Sequence, residues 1–411
     1  MAWRMPMAER IDQDWLARPS LQELLALLNE GDGEARIAGG AVRNALLDQA
    51  ISDVDVATTL VPRDVILRLR NAGHKSVPTG IEHGTVTAVL DGDAYEVTTL
   101  RRDIETDGRH AKVLYGTDWV ADAQRRDLTM NALYLNADGT VYDPLGGMQD
   151  VLSRTVRFID DPETRIREDY LRILRFFRFF AWYGNFRPDA EGLKACTRLK
   201  DGLADLSAER IWHEMSRLLA APDPSRALLW MRQTGVLAAI LPETEKWGID
   251  AVPGLVEAER EHGWDGDGLL RLMAIIPPME ERIASLAERL KLPNKVKARL
   301  LHWAGAGALQ PALKKDAFYQ WLYWQNQMAI QDRLRLAIAK SDENSKKSLR
   351  QLKWLNRWER PVFPLKGGDL IRFGMEPGPA ISEKMRALEE KWVASNFEHS
   401  REKLLEGVSA D

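Results

Sequence analysis

The sequence is nearly without cysteine. Cys196 stands alone among 411 residues, which rules out an intrachain disulfide and a cysteine-rich zinc site. A buried, unreactive thiol is the expected state of that side chain. Long apolar runs are missing too, and none approaches the roughly 18 residues needed to span a bilayer. The opening stretch MAWRMPMAERIDQDWLARPS carries charges every few residues and has no apolar core of a secretory signal, so a cytoplasmic protein without membrane contact is expected. There is no fixed-period repeat, no low-complexity tract and no His-Asp dipeptide.

What is present is ordinary for a globular chain: 45% apolar and 29% charged residues, in a length suited to domains of roughly 100–200 residues. The net charge of −4 argues against a surface that is basic throughout, but it leaves room for local patches. One such patch runs from Arg154 to Arg187, where eight arginines face five acidic residues.

The first 150 residues alternate strand and helix patterns. ARIA predicts a strand, AVRNALL a helix entered through Gly39-Gly40, DVDVA a strand, and PRDVILRLRNAG a helix opened by Pro62. GTVTAVL, the turn DGD and AYEVTTL predict an antiparallel hairpin. Between Arg101 and Ala121 the sequence is highly charged and without clear periodicity. After Gly147 helical periodicity takes over. IREDYLRILRFFRFFAWYG predicts one helix, LSAERIWHEMSRLLAAP another with Ser207 as N-cap, and SDENSKKS is the best linker candidate. The expected boundaries are an α/β head over 25–147, a helical neck over 148–245, and a helical body and tail over 246–411.

Side chains at i and i+2 of a strand share a face, so Asp53 and Asp55 are expected to project together. Two carboxylates that close repel each other unless a cation joins them, and magnesium suits hard oxygen ligands shared with substrate phosphates. Glu96, between apolar-facing Tyr95 and Val97, is a third carboxylate candidate or a proton acceptor for a two-metal phosphoryl-transfer site. The competing reading makes Asp53 a turn cap and leaves Glu96 facing water. Gly39-Gly40 at a strand-to-helix junction lets backbone N–H groups approach a phosphate, with Arg43 one helical turn on. The two glycines alone mark only a tight turn; followed thirteen residues later by DxD, they point to nucleotide chemistry.

GGAVRN, SDVDVATT, YEVTTLR, RRDLTMNAL, YDPLGGMQDV, REDYLRILRFFRF and LSAERIWHEM follow one another between Arg36 and Leu218. In order and spacing they resemble the class II tRNA nucleotidyltransferases and bacterial poly(A) polymerases. The resemblance implies a polymerase-beta-like nucleotidyltransferase head followed by an all-helical neck, body and tail. It implies addition of C and A nucleotides to the 3′ end of tRNA from CTP and ATP without a template, releasing pyrophosphate. Magnesium is the implied cofactor, on Asp53 and Asp55.

By the same resemblance Gly39, Gly40 and Arg43 hold the triphosphate, although Asn44 stands where the family has an aspartate. Arg126, Asp127 and Asn131 match the ribose and phosphate contact, beside Arg125. EDYLRILRFFR resembles the base-selecting segment. Cytosine and adenine both present an amino donor next to a ring-nitrogen acceptor, which a carboxylate and a guanidinium can read. Asp169 and Arg172, three apart on a predicted helix, suit that pairing. Arg175 and Arg178 continue the series. Rotation by about 100° per residue turns Arg178 half a turn from Asp169 and favours Arg175. A solvated arginine face over Ile173, Leu174 and Phe177 is the competing reading.

Family members that build the whole CCA end carry a flexible loop where Arg101–Ala121 lies, so its presence favours the complete activity; His110 within it is a candidate substrate contact or an incidental surface residue. In RQLKWLNRWER, Trp354 and Trp358 with Lys353 and Arg357 offer either RNA contacts or core packing under a basic rim. Glycines and prolines in KGGDLIRFGMEPGP mark two helix starts. The rival assignments are a poly(A) polymerase or A-adding-only relative, a non-catalytic RNA-binding relative and a small-molecule nucleotidyltransferase.

Overall fold

The computed structural model describes residues 10–107, 110–245, 247–406 and 408, with the backbone path alone between 102 and 113. The His110 side chain therefore lies outside the described residues. The chain forms two compact units, Met1–Pro242 and Glu243–Asp411.

The first unit opens with α1 (Pro19–Leu28), β1 (Ala35–Ala38), α2 (Gly40–Leu46), β2 (Asp55–Thr58), α3 (Pro62–Asn71), β3 (Lys75–Gly80), β4 (Thr85–Leu90) and β5 (Asp93–Thr99). Then come β6 (Arg101–Asp107), β7 (His110–Tyr115), α4 (Trp119–Gln124), β8 (Tyr134–Leu135) and β9 (Val141–Tyr142). Seven strands form one sheet in the order β3-β4-β5-β2-β1-β8-β9, with β2 and β5 as its parallel pair. Alternation sorts its two faces. Ile37, Val56, Val97 and Val86 stand side by side and are buried on the face covered by α1 and α3, whose Leu21, Leu24, Leu25 and Leu28 are fully buried. The other face carries Ala38, Asp55 and Glu96 in one row. The β4–β5 turn places Asp91 and Gly92 both at positive φ, as a tight two-residue hairpin requires.

Two expectations change here. Within the Arg101–Ala121 stretch, expected as a flexible loop, β6 and β7 pair antiparallel as a two-stranded sheet; backbone pairing organises strands whose charged sequence shows no period. Asp53 lies outside β2. The last pairing of β1 with β2 is Ala38 with Asp55, because Gly39, at φ 66°, turns the chain into α2 and leaves Asp53 without a strand partner.

Among the described residues no strand follows β9. The unit continues with α5 (Gly147–Leu152), α6 (Pro162–Glu168), α7 (Leu171–Tyr183), α8 (Ala190–Leu199), α9 (Ala208–Leu219), α10 (Ser225–Gln233) and α11 (Val236–Ile240). The single helix expected from IREDYLRIL is interrupted at Asp169, which is extended at φ −159° and ψ 107°. Its Oδ1 accepts the Leu171 N–H at 3.1 Å, so a short polar side chain replaces a helical backbone acceptor and restarts the chain as α7. The inner side of α7 packs Ile173, Leu174, Phe176 and Phe177, with Phe176 stacked on Phe158 at 5.1 Å. Cys196 on α8 is fully buried and free, and burial pushes its thiol pKa up, as an inert thiol requires.

The second unit comprises α12 (Ala251–His262), α13 (Gly268–Ile275), α14 (Glu280–Arg289), α15 (Asn294–Gly305), α16 (Lys315–Tyr323) and α17 (Gln327–Ala339). It ends with α18 (Ser345–Leu355), α19 (Gly367–Arg372), α20 (Pro379–Ala394) and α21 (Arg401–Leu405). Arg299 bridges Asp267 at 2.5 Å and Asp332 at 2.8 Å, tying α15 to α17 and to the N-cap of α13. SDENSKKS is not a linker: it makes the turn between α17 and α18 and begins α18, burying Ser348. Trp354 packs against Phe318, and Trp358, beyond the end of α18, stacks on Tyr319 at 5.8 Å. The two tryptophans are thus packing residues, and the helical i,i+4 spacing between them is not formed. No helix among the described residues is long and apolar enough to cross a membrane.

Candidate active site

A cleft of ≈ 520 Å³ opens in the first unit. Gly39, Gly40, Arg43, Asp55, Arg126, Asp127, Asn131, Asp169, Arg172, Arg175 and Arg178 all line it, together with Phe179 and Arg217. Residues from the sheet side and from the α6–α9 helices, far apart in sequence, therefore share one wall. Six arginines against three aspartates make the cleft a receptor for a polyanion.

The β1–α2 junction builds one end. A Cβ on Gly39 would lie 3.2 Å from Arg126 Nη1, so glycine serves both the left-handed turn and the close approach of that guanidinium. Arg43 is buried yet has only neutral partners: Nη1 donates to Asn131 Oδ1 at 2.5 Å, and Nη2 to Tyr183 Oη at 2.8 Å and Asn44 Oδ1 at 3.0 Å. Burial lowers its pKa, and Tyr183 offsets this only in part. A desolvated guanidinium without a carboxylate is completed by an anionic ligand. Asn44, in the place of the family's aspartate, keeps the aim of Arg43 without neutralising it.

The acids stand beside it. Asp55 and Glu96 are register partners on the parallel strands β2 and β5. Desolvation, then the Glu96 charge, raise the Asp55 pKa above the ordinary carboxylate value, while Arg126 opposes the shift. Asp53 is exposed and accepts the Ser52 hydroxyl at 2.9 Å. Asp53 and Glu96 do not line the cleft with Asp55. Among the described residues no three His, Cys, Asp or Glu side chains form a group that holds a metal on its own. The donor set nonetheless suits a magnesium ion, which takes one or two carboxylates and completes its shell with water and substrate phosphates.

The segment after α4 supplies the next wall. Arg125 turns onto buried Asp122 at 2.7 Å and away from the cleft, whereas Arg126 reaches both Asp122, at 3.2 Å, and the Asn131 carbonyl, at 3.2 Å. Asp127 is a buried hub: it accepts from Arg175 Nε at 2.5 Å, from Asn131 Nδ2 at 3.1 Å and from the Leu128 N–H at 2.9 Å. Burial alone would raise its pKa, but Arg175 and these hydrogen bonds outweigh it and hold the carboxyl down at about 2. A folded-state pKa below the unfolded value, roughly 3.9, means stabilisation that is present above that value and lost as pH falls toward 2. Asp127→Asn is therefore expected to lower stability at pH 7 by about 2 kcal/mol. The gap to wild type should close between about pH 4 and pH 2 in urea titrations; parallel pH curves for the two proteins would contradict the assignment.

Asp169 and Arg172 both face the cleft but do not pair. Asp169 Oδ2 accepts from Arg210 Nη2 at 2.6 Å, and Arg172 donates to Glu168 and to the Arg165 carbonyl. Arg178 is as much a part of the wall as Arg175, because the break at Asp169 removes the common helical axis on which the half-turn argument rested. Sequence reasoning missed Phe179, Tyr183, Arg210, Glu214 and Arg217. Phe179 has Arg178 at 4.4 Å, Arg43 at 5.2 Å and Arg175 at 5.5 Å from its ring centre, so one aromatic side chain arranges three guanidiniums. Buried Glu214 takes Arg178 at 2.5 Å and approaches Arg175 at 3.9 Å. The Arg210, Glu214, Arg217 spacing within LSAERIWHEMSRLL was the available signal, since i, i+4, i+7 marks one helix face.

Family models match two stretches of the chain: the poly A polymerase head domain over residues 35–157, and a probable RNA- and SrmB-binding site of polymerase A over 185–247. A mitochondrial CCA tRNA nucleotidyltransferase 1 from Mus musculus is 35% identical, covering 94% of this chain and 88% of its own. The CCA-adding enzyme of Geobacillus kaustophilus is 31% identical over 94% of this chain and 96% of its own. The crystal structure of the Bacillus stearothermophilus CCA-adding enzyme in complex with CTP superposes with a TM-score of 0.72 at 28% identity, covering 94% of this chain and 96% of that one. The Thermotoga maritima CCA-adding enzyme complexed with tRNA shares the fold, with a TM-score of 0.69 at 20% identity over 97% and 96% of the two chains.

Proposed function

We propose how this chain, which belongs to the family of class II tRNA nucleotidyltransferases and bacterial poly(A) polymerases, does its work: it adds C and A nucleotides to the 3′ end of tRNA from CTP and ATP, without a template and with release of pyrophosphate. The observation that carries this reading is the shared cleft, where the phosphate-type junction of Gly39, Gly40 and Arg43 meets Asp55 on one side and Asp169, Arg172 and Arg175 on the other. Residues 25–147 act as catalytic head, 148–245 as the neck that selects the base, and 246–411 as a body and tail for tRNA.

The family is metal-dependent, and magnesium is the ion proposed here, on Asp53 and Asp55 with Glu96 beside them. When bound, it supplies the charge that lowers the pKa of the attacking 3′-hydroxyl and offsets the charge on the departing phosphates. The chain's own residues do the rest. Gly39 and Gly40 let the triphosphate approach the backbone, Arg43 and Arg126 hold its charge, and Asn131 with Asp127 keeps those arginines aimed. Asp169 and Arg172 read the base edge. In-line attack on the α-phosphorus then depends on positioning more than on covalent chemistry. A cytoplasmic setting belongs to the same proposal, although several relatives carry a mitochondrial designation.

The test supplies purified protein with tRNA transcripts ending before CCA, after the first C and after CC, each with one labelled nucleotide at a time. Two C additions followed by a single A are expected. Runs of A on every transcript would instead make the protein a poly(A) polymerase.

A further inference from the structure

Arg210, Glu214 and Arg217 form one charged stripe on α9, and two of the three are matched across the α6–α7 segment. Arg210 pairs with Asp169 at 2.6 Å, and Glu214 with Arg178 at 2.5 Å. Arg217, one turn farther along, has no carboxylate partner among the described residues, is exposed, and lines the cleft. The acid nearest to it on the stripe is already engaged by two arginines, and its positive charge works against that of Arg178. An arginine on a solvated helix face needs no explanation, but one held at the mouth of a cationic cleft is completed by an anion. The Arg217 backbone carbonyl accepts the Trp182 indole N–H at 2.8 Å, which anchors a ring that is 36% exposed against the same turn of α9.

We propose that Arg217 and Trp182 receive the single-stranded 3′ end of the RNA, with the guanidinium on a backbone phosphate and the indole face against a neighbouring base. The inference rests on the nucleotidyl-transfer reading of the cleft. The incoming triphosphate has its own cation in buried Arg43, whereas an RNA end must approach from solvent across the exposed rim where Arg217 lies. A phosphate-binding cation beside an aromatic platform is the pairing that single-stranded RNA requires.

The deciding measurement is titration of a fluorescent tRNA transcript ending before CCA, without nucleotide, alongside KM values for CTP. Arg217→Glu is expected to weaken RNA binding about tenfold and to make its salt dependence shallower by about one phosphate contact. Arg217→Lys should retain most of the affinity. Trp182→Ala should lose roughly fivefold, with Trp182→Phe restoring it. The loss of RNA affinity in Arg217→Glu should exceed any rise in the KM for CTP, since buried Arg43 already serves the triphosphate. RNA affinity of Arg217→Glu equal to wild type overturns the inference, as does a rise in the KM for CTP with RNA affinity unchanged. Failure of the underlying reading has a different signature: wild-type protein transfers no nucleotide to any transcript, while the RNA titration still reports on Arg217.

Discussion

Asp55→Ala is expected to lower nucleotide addition by about a thousandfold or more while the protein melts at or above the wild-type temperature at pH 7. The two outcomes share one cause. Asp55 faces Glu96 across paired strands, and its carboxyl is raised by desolvation and by that neighbouring charge. A carboxylate whose folded pKa exceeds its unfolded one costs stability once pH rises through the ordinary aspartate range and above the raised value. At neutral pH the Asp55 charge is thus held at a cost in stability, and the alanine relieves it. Asp55→Asn should show the same stability gain, vanishing at low pH where both states are protonated. Activity within tenfold of wild type would remove Asp55 from the metal site. A lower melting temperature would mean that the acid is a structural group.

The second large effect concerns which bases are accepted. Asp169→Ala is expected to reduce rejection of UTP relative to CTP by roughly a hundredfold. UTP presents a carbonyl where CTP presents an amino group, and a carboxylate facing that carbonyl leaves both acceptors without a donor. Two contacts fix the Asp169 carboxylate in position, since Arg210 takes one oxygen and the Leu171 N–H takes the other, which also sets the start of α7. Competition between labelled CTP and UTP on a transcript lacking CCA measures the ratio. A variant that still excludes UTP as strongly as the parent shows that selection resides elsewhere on the wall. Because Asp169 also starts α7, Asp169→Asn serves as the control: its amide oxygen retains an acceptor for Leu171 while the amide and the lost charge change what the base meets.

Much of this protein was legible before folding was considered. Alternation of Val86, Ala88 and Leu90 gave the hairpin, and Gly39-Gly40 gave the turn into α2. The cleft residues from Arg43 to Arg178 were named from motifs that resemble the family's, and only the Gly39-Gly40 junction and the aspartate pair were marked by local residue chemistry as well. Local information failed where a partner distant in the chain decides conformation. Asp53 looked like a strand residue until β1 ended at Ala38 and left it unpaired. Asp169 looked helical until its carboxylate took the Leu171 N–H. Arg172 seemed made for Asp169, yet Glu168 and Arg210 each claimed one of them.

The sequence alone determined the chemistry available: which acids, arginines and glycines exist, and the α/β-then-helical order in which they occur, because periodicity and turn preference are properties of neighbouring residues. Only the tertiary structure decided which charges neutralise one another and which remain for a substrate. Ion pairing depends on separation in space, and 48 residues of chain separate Arg175 from the Asp127 it pairs with. Arg43 and Arg217 stay without an ion-pair partner among the described residues for the same reason, since the nearby acids Asp127 and Glu214 are turned to Arg175 and Arg178 instead.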